Sequence, residues 1–276
     1  MDPDYVPEGI DLDRPNAARA YDWALGGTAN WAIDRQYGEQ ALKAYPQLRE
    51  AARANRNFLG RAVRYCVANG VTQFIDLGSG VPTMGNVHEI ADEADDKSRC
   101  VYVDVEPVAV AHARILLENK GDPNRHAVLH ADLCHAEDVW QAAFETGVLM
   151  PDRPVGLLTV AVLHFLADST GVREAIEEYR DYLPPGSMYV LSHVSPSGVG
   201  NFEQAQLEKL TEVSKRTPTP GVLRTRDEVM SFFGDLELVE PGLVPVGQWN
   251  PDDPDDPGGQ IRTAIGGVAR KLEGTE

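Results

Sequence analysis

The spacing of hydrophobic residues changes near residue 70 of this 276-residue chain. Before that point, apolar positions recur every three or four residues, which is the period of an amphipathic helix. Three helices are predicted there, within NAARAYDWALGG, AIDRQYGEQALKAY and LREAARANRNFLGRAVRYCVANG. Asn16 is a candidate cap of the first helix, which Gly26 and Gly27 would end. We therefore predict an N-terminal helical lobe over residues 1–70, which begins with an irregular tail.

After residue 70, short apolar runs alternate with helical patterns. The five runs are TQFIDLG, RCVYVDVEP, HAVLHADL, PVGLLTVAVLHFL and GSMYVLSHVS. Because strands that are apolar along most of their length are covered on both faces, this alternation predicts a parallel sheet between two helical layers. Two further runs, LELVEPGLVPVGQW and IRTAIGGVARKL, are separated by a turn-forming segment and predict a C-terminal antiparallel hairpin. We therefore predict an α/β domain over residues 71–276.

The composition narrows the class of protein. Hydrophobic residues make up 42% of the chain, which is enough for a large core, and the net charge is −18. Such an acidic chain is not expected to have the basic surface that binds nucleic acids or anionic membranes. The sequence contains no apolar run of about 18 residues, and its acidic start is unlike a signal peptide. Its three cysteines are widely spaced, so we expect neither disulfides nor a zinc site, and a cytoplasmic location.

The segment FIDLGSGVP, residues 74–82, marks the first candidate binding site. Gly78 and Gly80 would let the backbone after the first strand approach a ligand closely. In parallel sheets, ligands bind beyond the carboxyl ends of the strands, where the strand order reverses. A dinucleotide fingerprint would need a third glycine, but Thr83 occupies that position, and no Walker lysine follows.

Three aspartates follow or end successive predicted strands. They are Asp76 in FIDLG, Asp104 in VYVDVEP and Asp132 in HADL. A carboxylate in the second position can accept hydrogen bonds from both hydroxyls of a ribose, and one in the third position from an adenine amino group. These residues therefore indicate an adenosine-type ligand, and on their own they fit NAD as well as other adenosine cofactors.

The ordered set FIDLGSG, VYVDVEP, HADL, VLHFL and LPPGSMYVLSH resembles class I S-adenosylmethionine-dependent methyltransferases. The opening RPNAARAYDWALGGTANWAIDR is similar to that of an actinobacterial family, formerly domain of unknown function 574 and now called S-adenosyl methyltransferase. The resemblance covers about residues 70–271. It implies a Rossmann-like, seven-stranded, mostly parallel sheet and S-adenosylmethionine as cofactor. Pro82 departs from the usual glycine of that motif and removes one backbone donor.

The resemblance also implies a set of cofactor-binding residues: Tyr21, Asp22, Asp76, Gly78, Ser79, Gly80, Asp104, Val105, Asp132, Leu133 and Ala161. The glycine turn would hold the methionine part, and Asp104 the ribose. Asp132 and Leu133 would flank the adenine. Tyr21 and Asp22, on the first helix, would cover the pocket as a lid.

The catalytic candidate is His164 in VLHFL, because an imidazole can take up a proton near neutral pH. The alternative is that His164 only packs against the cofactor, and His193 is a second candidate base. The remaining histidines share no ligand spacing, so no metal site is predicted.

The acceptor is expected to be a small molecule. The lobe aromatics Tyr21, Trp23, Trp31 and Tyr37 either wall its pocket or pack the lobe onto the sheet. A cofactor-binding protein without transfer activity stays an alternative. An NAD-linked reductase is disfavoured by Thr83 and by the lack of a Tyr-x-x-x-Lys pair. The residues leave the oligomeric state open, a homodimer included.

Overall fold

The computed structural model describes residues 11–83, 85–253 and 256–272. Within these ranges the strands are β1 Gln73–Leu77, β2 Arg99–Asp104, β3 His126–His130, β4 Gly156–Val160, β5 Met188–Val194, β6 Glu237–Leu238, β7 Val244–Pro245 and β8 Ala264–Arg270. The helices are α1 Ala17–Leu25, α2 Ala32–Ala44, α3 Leu48–Ala68, α4 Val87–Ala94, α5 Pro107–Lys120, α6 Ala136–Glu145, α7 Val172–Tyr182, α8 Asn201–Ser214 and α9 Arg226–Met230.

The strands form one sheet in the order β3-β2-β1-β4-β5-β8-β6, and β7 pairs with β8 as well. β1 to β5 are mutually parallel, whereas β8 runs antiparallel to β5. The predicted mostly parallel sheet with a C-terminal antiparallel hairpin is therefore confirmed, and within the described residues it has eight strands where seven were predicted. The penultimate run forms two short strands, because the Pro241-Gly242 turn interrupts it before it resumes along β8.

Hydrophobic cores lie on both faces of the sheet. On one face, α6 and α7 pack against β1, β4 and β5 through residues such as Val139, Ile176 and Tyr179. On the other face, α3 and α4 pack through Phe58, Val63 and Ile90. This arrangement explains why the five parallel strands are apolar along most of their length.

The three N-terminal helices differ in what they pack against: α3 packs on the sheet, whereas α1 and α2 pack mainly on other helices. The long helix α3 shares the core of the sheet, so it belongs to the helical layer of the α/β domain. Helix α1 contacts α2, α3 and α5, and α2 contacts α8. As predicted, the Asn16 side chain caps α1 by accepting from the amides of Ala18 and Arg19, and Gly26 ends it in the left-handed conformation.

A buried ion pair fastens the starts of α1 and α2 together. Arg19 Nε lies 3.1 Å from Asp34 Oδ1, and both side chains are almost fully buried. The same carboxylate accepts from the backbone amides of Asn16 and Trp31. Because both partners are desolvated, loss of either would leave an unpaired buried charge. This pair fixes the position of α1 over the carboxyl ends of the strands.

The strand order reverses between β1 and β4, since the chain moves outward to β2 and β3 on one side and to β4 and β5 on the other. A crevice opens at such a reversal, beyond the carboxyl ends of the strands. The glycine segment predicted to bind a ligand follows β1 and lies at this position.

Candidate active site at the carboxyl edge of the sheet

The turn after β1, Gly78–Gly80, has the backbone conformation that its glycines predict. Gly78 and Gly80 have φ values of +68° and +67°, in the left-handed region. A Cβ on Gly78 would lie 2.2 Å from Val162 Cγ2, whereas one on Gly80 would meet open space. The amides of Gly78 and Ser79 donate to the carbonyl of Val103, which holds the turn against β2. We call this segment the glycine turn.

Asp104 is bound directly to the glycine turn. Its Oδ2 accepts from the Gly80 amide at 2.7 Å, and its Oδ1 accepts from the Glu106 amide at 2.8 Å. Burial raises the pKa of Asp104, and these backbone donors oppose the rise. Each carboxylate oxygen has two lone pairs, so both can still accept from a ligand.

A cavity, which we call the first cavity, opens in front of the glycine turn. Nine of the residues predicted to bind the cofactor line it: Tyr21, Gly78, Ser79, Gly80, Asp104, Val105, Asp132, Leu133 and Ala161. Residues from α1, β1, β2, β3 and β4 or the turns after them therefore meet at one edge. The predicted convergence of strand ends accounts for most of this set.

The side of the first cavity near β3 is partly apolar. Val105 is 60% exposed there although it is hydrophobic, and Leu133 is buried in the adjoining core. Asp132 Oδ1 accepts from the amide of Cys134 at 2.9 Å, so one of its oxygens stabilises its own turn. An apolar residue at the rim with a carboxylate beside it suits a flat ring that carries a polar edge.

Asp76 lies beneath the glycine turn, in a small recess that Arg56, Ser79 and Tyr102 also line. Burial raises the pKa of Asp76 to about 7, a rise that nearby Arg56 opposes and Asp104 reinforces. The carboxylate is thus held where its charged form is unfavourable, next to Ser79 and Gly80 of the glycine turn.

Asp22 faces the loop after α1. Its Oδ2 accepts from the Ala29 amide and from Asn30 Nδ2, and its Oδ1 accepts from the Thr83 hydroxyl at 2.6 Å. The two neighbours on α1 thus differ: Tyr21 lines the first cavity, and Asp22 ties the lobe to the segment beyond the glycine turn. Asp22 therefore helps to position helix α1.

Several residues that line the first cavity were missed by the sequence analysis. They are Asn16, Asn55, Arg56, Glu106 and Phe165. A signal existed for Asn55, because it interrupts the apolar stripe of α3 three residues after Ala52 and three before Phe58. Arg56 is the only cation among the described residues that line this cavity.

Glu106 adds a second carboxylate to the first cavity. Its Oε2 accepts from Asn16 Nδ2 at 2.6 Å. Its Oε1 is buried without a hydrogen-bond partner, and the nearest cation is Arg19, with Nη1 3.8 Å away. Burial raises the pKa of Glu106. Its unpaired Oε1 leaves a hydrogen-bond acceptor unused beside Asp104.

A second cavity adjoins the first and shares part of its wall: Ala17, Tyr21, Asn55, Ala161 and Phe165 line both. Ala161, directly after β4, has a φ of +57°, which is unusual for a residue with a side chain. Its amide donates to Ser192 Oγ at 3.0 Å, and Ser192 Oγ donates to Asn55 Oδ1. Asn55 Nδ2 donates to the Tyr21 hydroxyl, which donates to the carbonyl of Ala52. This chain of hydrogen bonds fixes the wall that the two cavities share.

His164 lines the second cavity and lies in a short 3-10 turn after β4. It is buried, and its Nδ1 is enclosed without a partner, so Nε2 is the ring nitrogen available to the cavity. Burial lowers the pKa of His164 well below its usual range, and His193 and Arg224 lower it further. The imidazole is therefore neutral near pH 7 and can accept a hydrogen bond.

The second candidate base, His193, and two of the four lobe aromatics are engaged by neighbouring residues. His193 Nδ1 donates to the carbonyl of Val194 and Nε2 accepts from Arg224, so both nitrogens are engaged; burial lowers its pKa to about 4. Of the lobe aromatics, Tyr21 and Tyr37 line the second cavity. Trp23 and Trp31 pack instead against the guanidinium groups of Arg49 and Arg19.

A parallel sheet ending in an antiparallel hairpin, a glycine turn after β1 and an acid at the end of β2 define the class I S-adenosylmethionine-dependent methyltransferases. The residues present fit that cofactor. Asp104 and Glu106 offer acceptors for ribose hydroxyls, Val105 and Leu133 an apolar surface for adenine, and Arg56 a cation for the methionine carboxylate.

The comparisons with known proteins identify the family. The model of the S-adenosyl methyltransferase family matches residues 4–272, so the chain belongs to this family and is an S-adenosylmethionine-dependent methyltransferase. A provisionally assigned methyltransferase from Thermobifida fusca YX is 36% identical over 98% of this chain and 99% of its own, with a TM-score of 0.87. A member of the domain of unknown function 574 family from Streptomyces avermitilis is 32% identical over 95% and 99%, with a TM-score of 0.86.

More distant structures share only the fold. The 1,6-didemethyltoxoflavin-N1-methyltransferase of Burkholderia thailandensis, solved with its acceptor and S-adenosylhomocysteine, is 17% identical over 98% of this chain and all of its own, with a TM-score of 0.50. Among curated proteins, none matches this chain. In the part of the chain that the structure describes, no helix has the length and apolar character needed to cross a membrane.

The raised pKa of Asp76 predicts a stabilising substitution. The folded state holds the Asp76 proton up to about pH 7, whereas the unfolded chain releases it near 3.8. The ionised form therefore costs stability progressively from pH 3.8 to 7, and Asp76→Asn should raise the free energy of unfolding at pH 8 by a few kcal/mol, since each pKa unit corresponds to about 1.4 kcal/mol. The gain should vanish near pH 4, as measured by urea denaturation at several pH values.

Asp122→Asn is the matched control of opposite sign. Hydrogen bonds from the Asn124 amide and Arg125 lower the pKa of exposed Asp122, so this substitution should not stabilise the protein at pH 8. Equal stability of Asp76→Asn and wild type at pH 8 would contradict the account of Asp76.

Proposed function

We propose that this methyltransferase transfers its methyl group to a small molecule bound in the second cavity. The observation that supports this is the shared wall, in which Tyr21, Asn55, Ala161 and Phe165 line both cavities. A donor in the first cavity and an acceptor in the second would meet across Ala161. Alignment of two bound reactants can lower the barrier to such a displacement by about 7–11 kcal/mol.

The first cavity would hold S-adenosylmethionine through residues of β1, β2, β3 and α3 or the turns after them. Asp104, assisted by Glu106, would accept from the ribose hydroxyls, and Val105 with Leu133 would contact the adenine. The glycine turn would lie against the methionine part, with Arg56 near its carboxylate. When bound, this cofactor supplies an activated methyl carbon. The protein supplies position and exclusion of water.

The lid helix α1 contributes to both cavities. Tyr21 lines each of them, and its hydroxyl is fixed between Asn55 and the carbonyl of Ala52. Asp22 ties the same helix to Thr83. A helix held to α3 and to Thr83 in this way would cover the reacting groups and keep bulk water from the reaction.

His164 would take up the proton of the acceptor. Its depressed pKa keeps Nε2 unprotonated at neutral pH, so it can accept a hydrogen bond from a hydroxyl or amine. As the acceptor gains a methyl group it loses that proton to Nε2. The buried position of the imidazole makes the charged form short-lived and favours release of the proton.

Asp104→Ala should abolish most of the affinity for S-adenosylhomocysteine. Two hydrogen bonds to a charged group, at about 1.5–3 kcal/mol each, correspond to a loss of about 100-fold or more in Kd. Asp104→Asn, which keeps the shape and one acceptor oxygen, should give an intermediate loss. Isothermal calorimetry measures both, and Asp96→Ala, on the exposed turn before β2, serves as the control. A folded Asp104→Ala variant that binds as tightly as wild type would refute the proposed ribose site.

Transfer to a small molecule can be detected before the acceptor is identified. With tritium in the methyl group of S-adenosylmethionine and an extract of the organism that encodes this chain, label should appear in the fraction that passes an ultrafiltration membrane. His164→Gln should slow labelling by about 100-fold or more, the usual contribution of a general base. His135→Gln, at an exposed position, should not change it. Label confined to protein or nucleic acid would contradict the proposal.

A further inference from the structure

The second cavity is lined without a single ionisable acid, lysine or arginine among the described residues. Helices α1, α2, α3 and α8 contribute mainly alanine and leucine, for example Ala24, Ala41 and Leu207. This is unusual for a chain in which 25% of residues are charged. A charged ligand entering this cavity would lose its hydration and find no counter-ion, which is strongly unfavourable.

Most polar groups of the second cavity are already paired with protein atoms. The Tyr45 hydroxyl and Thr263 Oγ1 share a hydrogen bond of 2.6 Å. Ser214 Oγ donates to the carbonyl of Thr211, whose own hydroxyl donates to the carbonyl of Leu207. Paired groups of this kind have little left to offer a ligand, so they contribute to the cavity as walls.

The polar groups at and near the wall shared by the two cavities are also paired with protein atoms. Ser192 Oγ, Asn55 and the Tyr21 hydroxyl bond to one another, and both nitrogens of His193 are engaged. The polar atoms of these four side chains therefore fix the protein's own structure.

Two polar groups of the second cavity have no partner among the described residues. One is the His164 ring, for which no hydrogen bond to a described residue is found: its Nδ1 is enclosed without a partner, which leaves Nε2 for a ligand. The other is the hydroxyl of Tyr37, half-buried on α2. Burial raises the pKa of Tyr37 to about 12, so its hydroxyl stays neutral and donates a hydrogen bond. Neutral His164 accepts one. Together they define one acceptor and one donor in an otherwise apolar cavity.

We infer that the acceptor is an uncharged, mainly apolar molecule with a hydroxyl or amine for His164 and a carbonyl or ether oxygen for Tyr37. This inference rests on the proposed function, since it assigns the second cavity to the acceptor. Substrates with carboxylate, phosphate or ammonium groups are disfavoured, because no counter-ion lines the second cavity among the described residues. Selectivity would come from the two polar contacts and from the shape of the apolar walls.

Three probes with the same phenol head test this inference. They are para-butylphenol, para-hydroxybenzylacetone, which carries a ketone in its tail, and para-hydroxyphenylpropionate, which carries a carboxylate. Each is titrated by calorimetry into the full-length protein saturated with S-adenosylhomocysteine. We expect the two neutral probes to bind and the carboxylate to bind at least about 100-fold more weakly.

Two substitutions test the polar contacts. Tyr37→Phe should remove the advantage of the ketone probe over para-butylphenol, a change of about three- to tenfold. His164→Gln should weaken both neutral probes by a similar factor while leaving the Kd of S-adenosylhomocysteine unchanged. Tyr182→Phe and His135→Gln, which lie outside both cavities, are the matched controls.

The affinity for S-adenosylhomocysteine, measured first, separates the two possible failures. If the protein does not bind it, the proposed function is wrong. If it binds and the carboxylate probe is as tight as the neutral ones, or no probe binds, the inferred acceptor class is wrong.

Discussion

The hydrogen bond from the Gly80 amide to the Asp104 carboxylate is the interaction on which the site depends. It joins the turn after β1 to the end of β2, next to the point where the strand order reverses. The same carboxylate accepts from Glu106, just before α5, so one buried charge orders three backbone segments. Burial makes this charge costly, as the raised pKa of Asp104 indicates, and the backbone donors offset part of that cost. The Asp104 lone pairs that accept no backbone hydrogen bond suit a ligand with adjacent hydroxyls.

The wall shared by the first and second cavities depends on a second, neutral network. Ala161 occupies a left-handed conformation that costs about 1–2 kcal/mol for a residue with a side chain. Its amide is held by Ser192, which Asn55 orients in turn from α3. Asn55 also bonds to Tyr21, so α1, α3 and the turn after β4 are aligned together. Strain of this kind is stored at functional sites because surrounding contacts enforce it.

Much of the fold follows from local signals. Periodicity predicted the three N-terminal helices and the alternating strands, and strand ends predicted where Asp104 and Asp132 would meet. The break between β6 and β7 was also visible as a Pro-Gly pair, although the sequence analysis treated that stretch as one strand. What local signals could not supply was the side that a residue faces once helices pack. Tyr21 and Asp22 are adjacent on α1, hence about 100° apart around its axis, so the two side chains face different surroundings. Arg56 and Glu106 join the site only through tertiary packing.

The most direct test of this account is a crystal structure with S-adenosylhomocysteine bound. The account predicts the ribose hydroxyls within hydrogen-bonding distance of Asp104, the amino-acid part along the glycine turn, and the sulfur at Ala161, directed into the second cavity. A ribose held elsewhere, or a sulfur separated from the second cavity by protein, would contradict it.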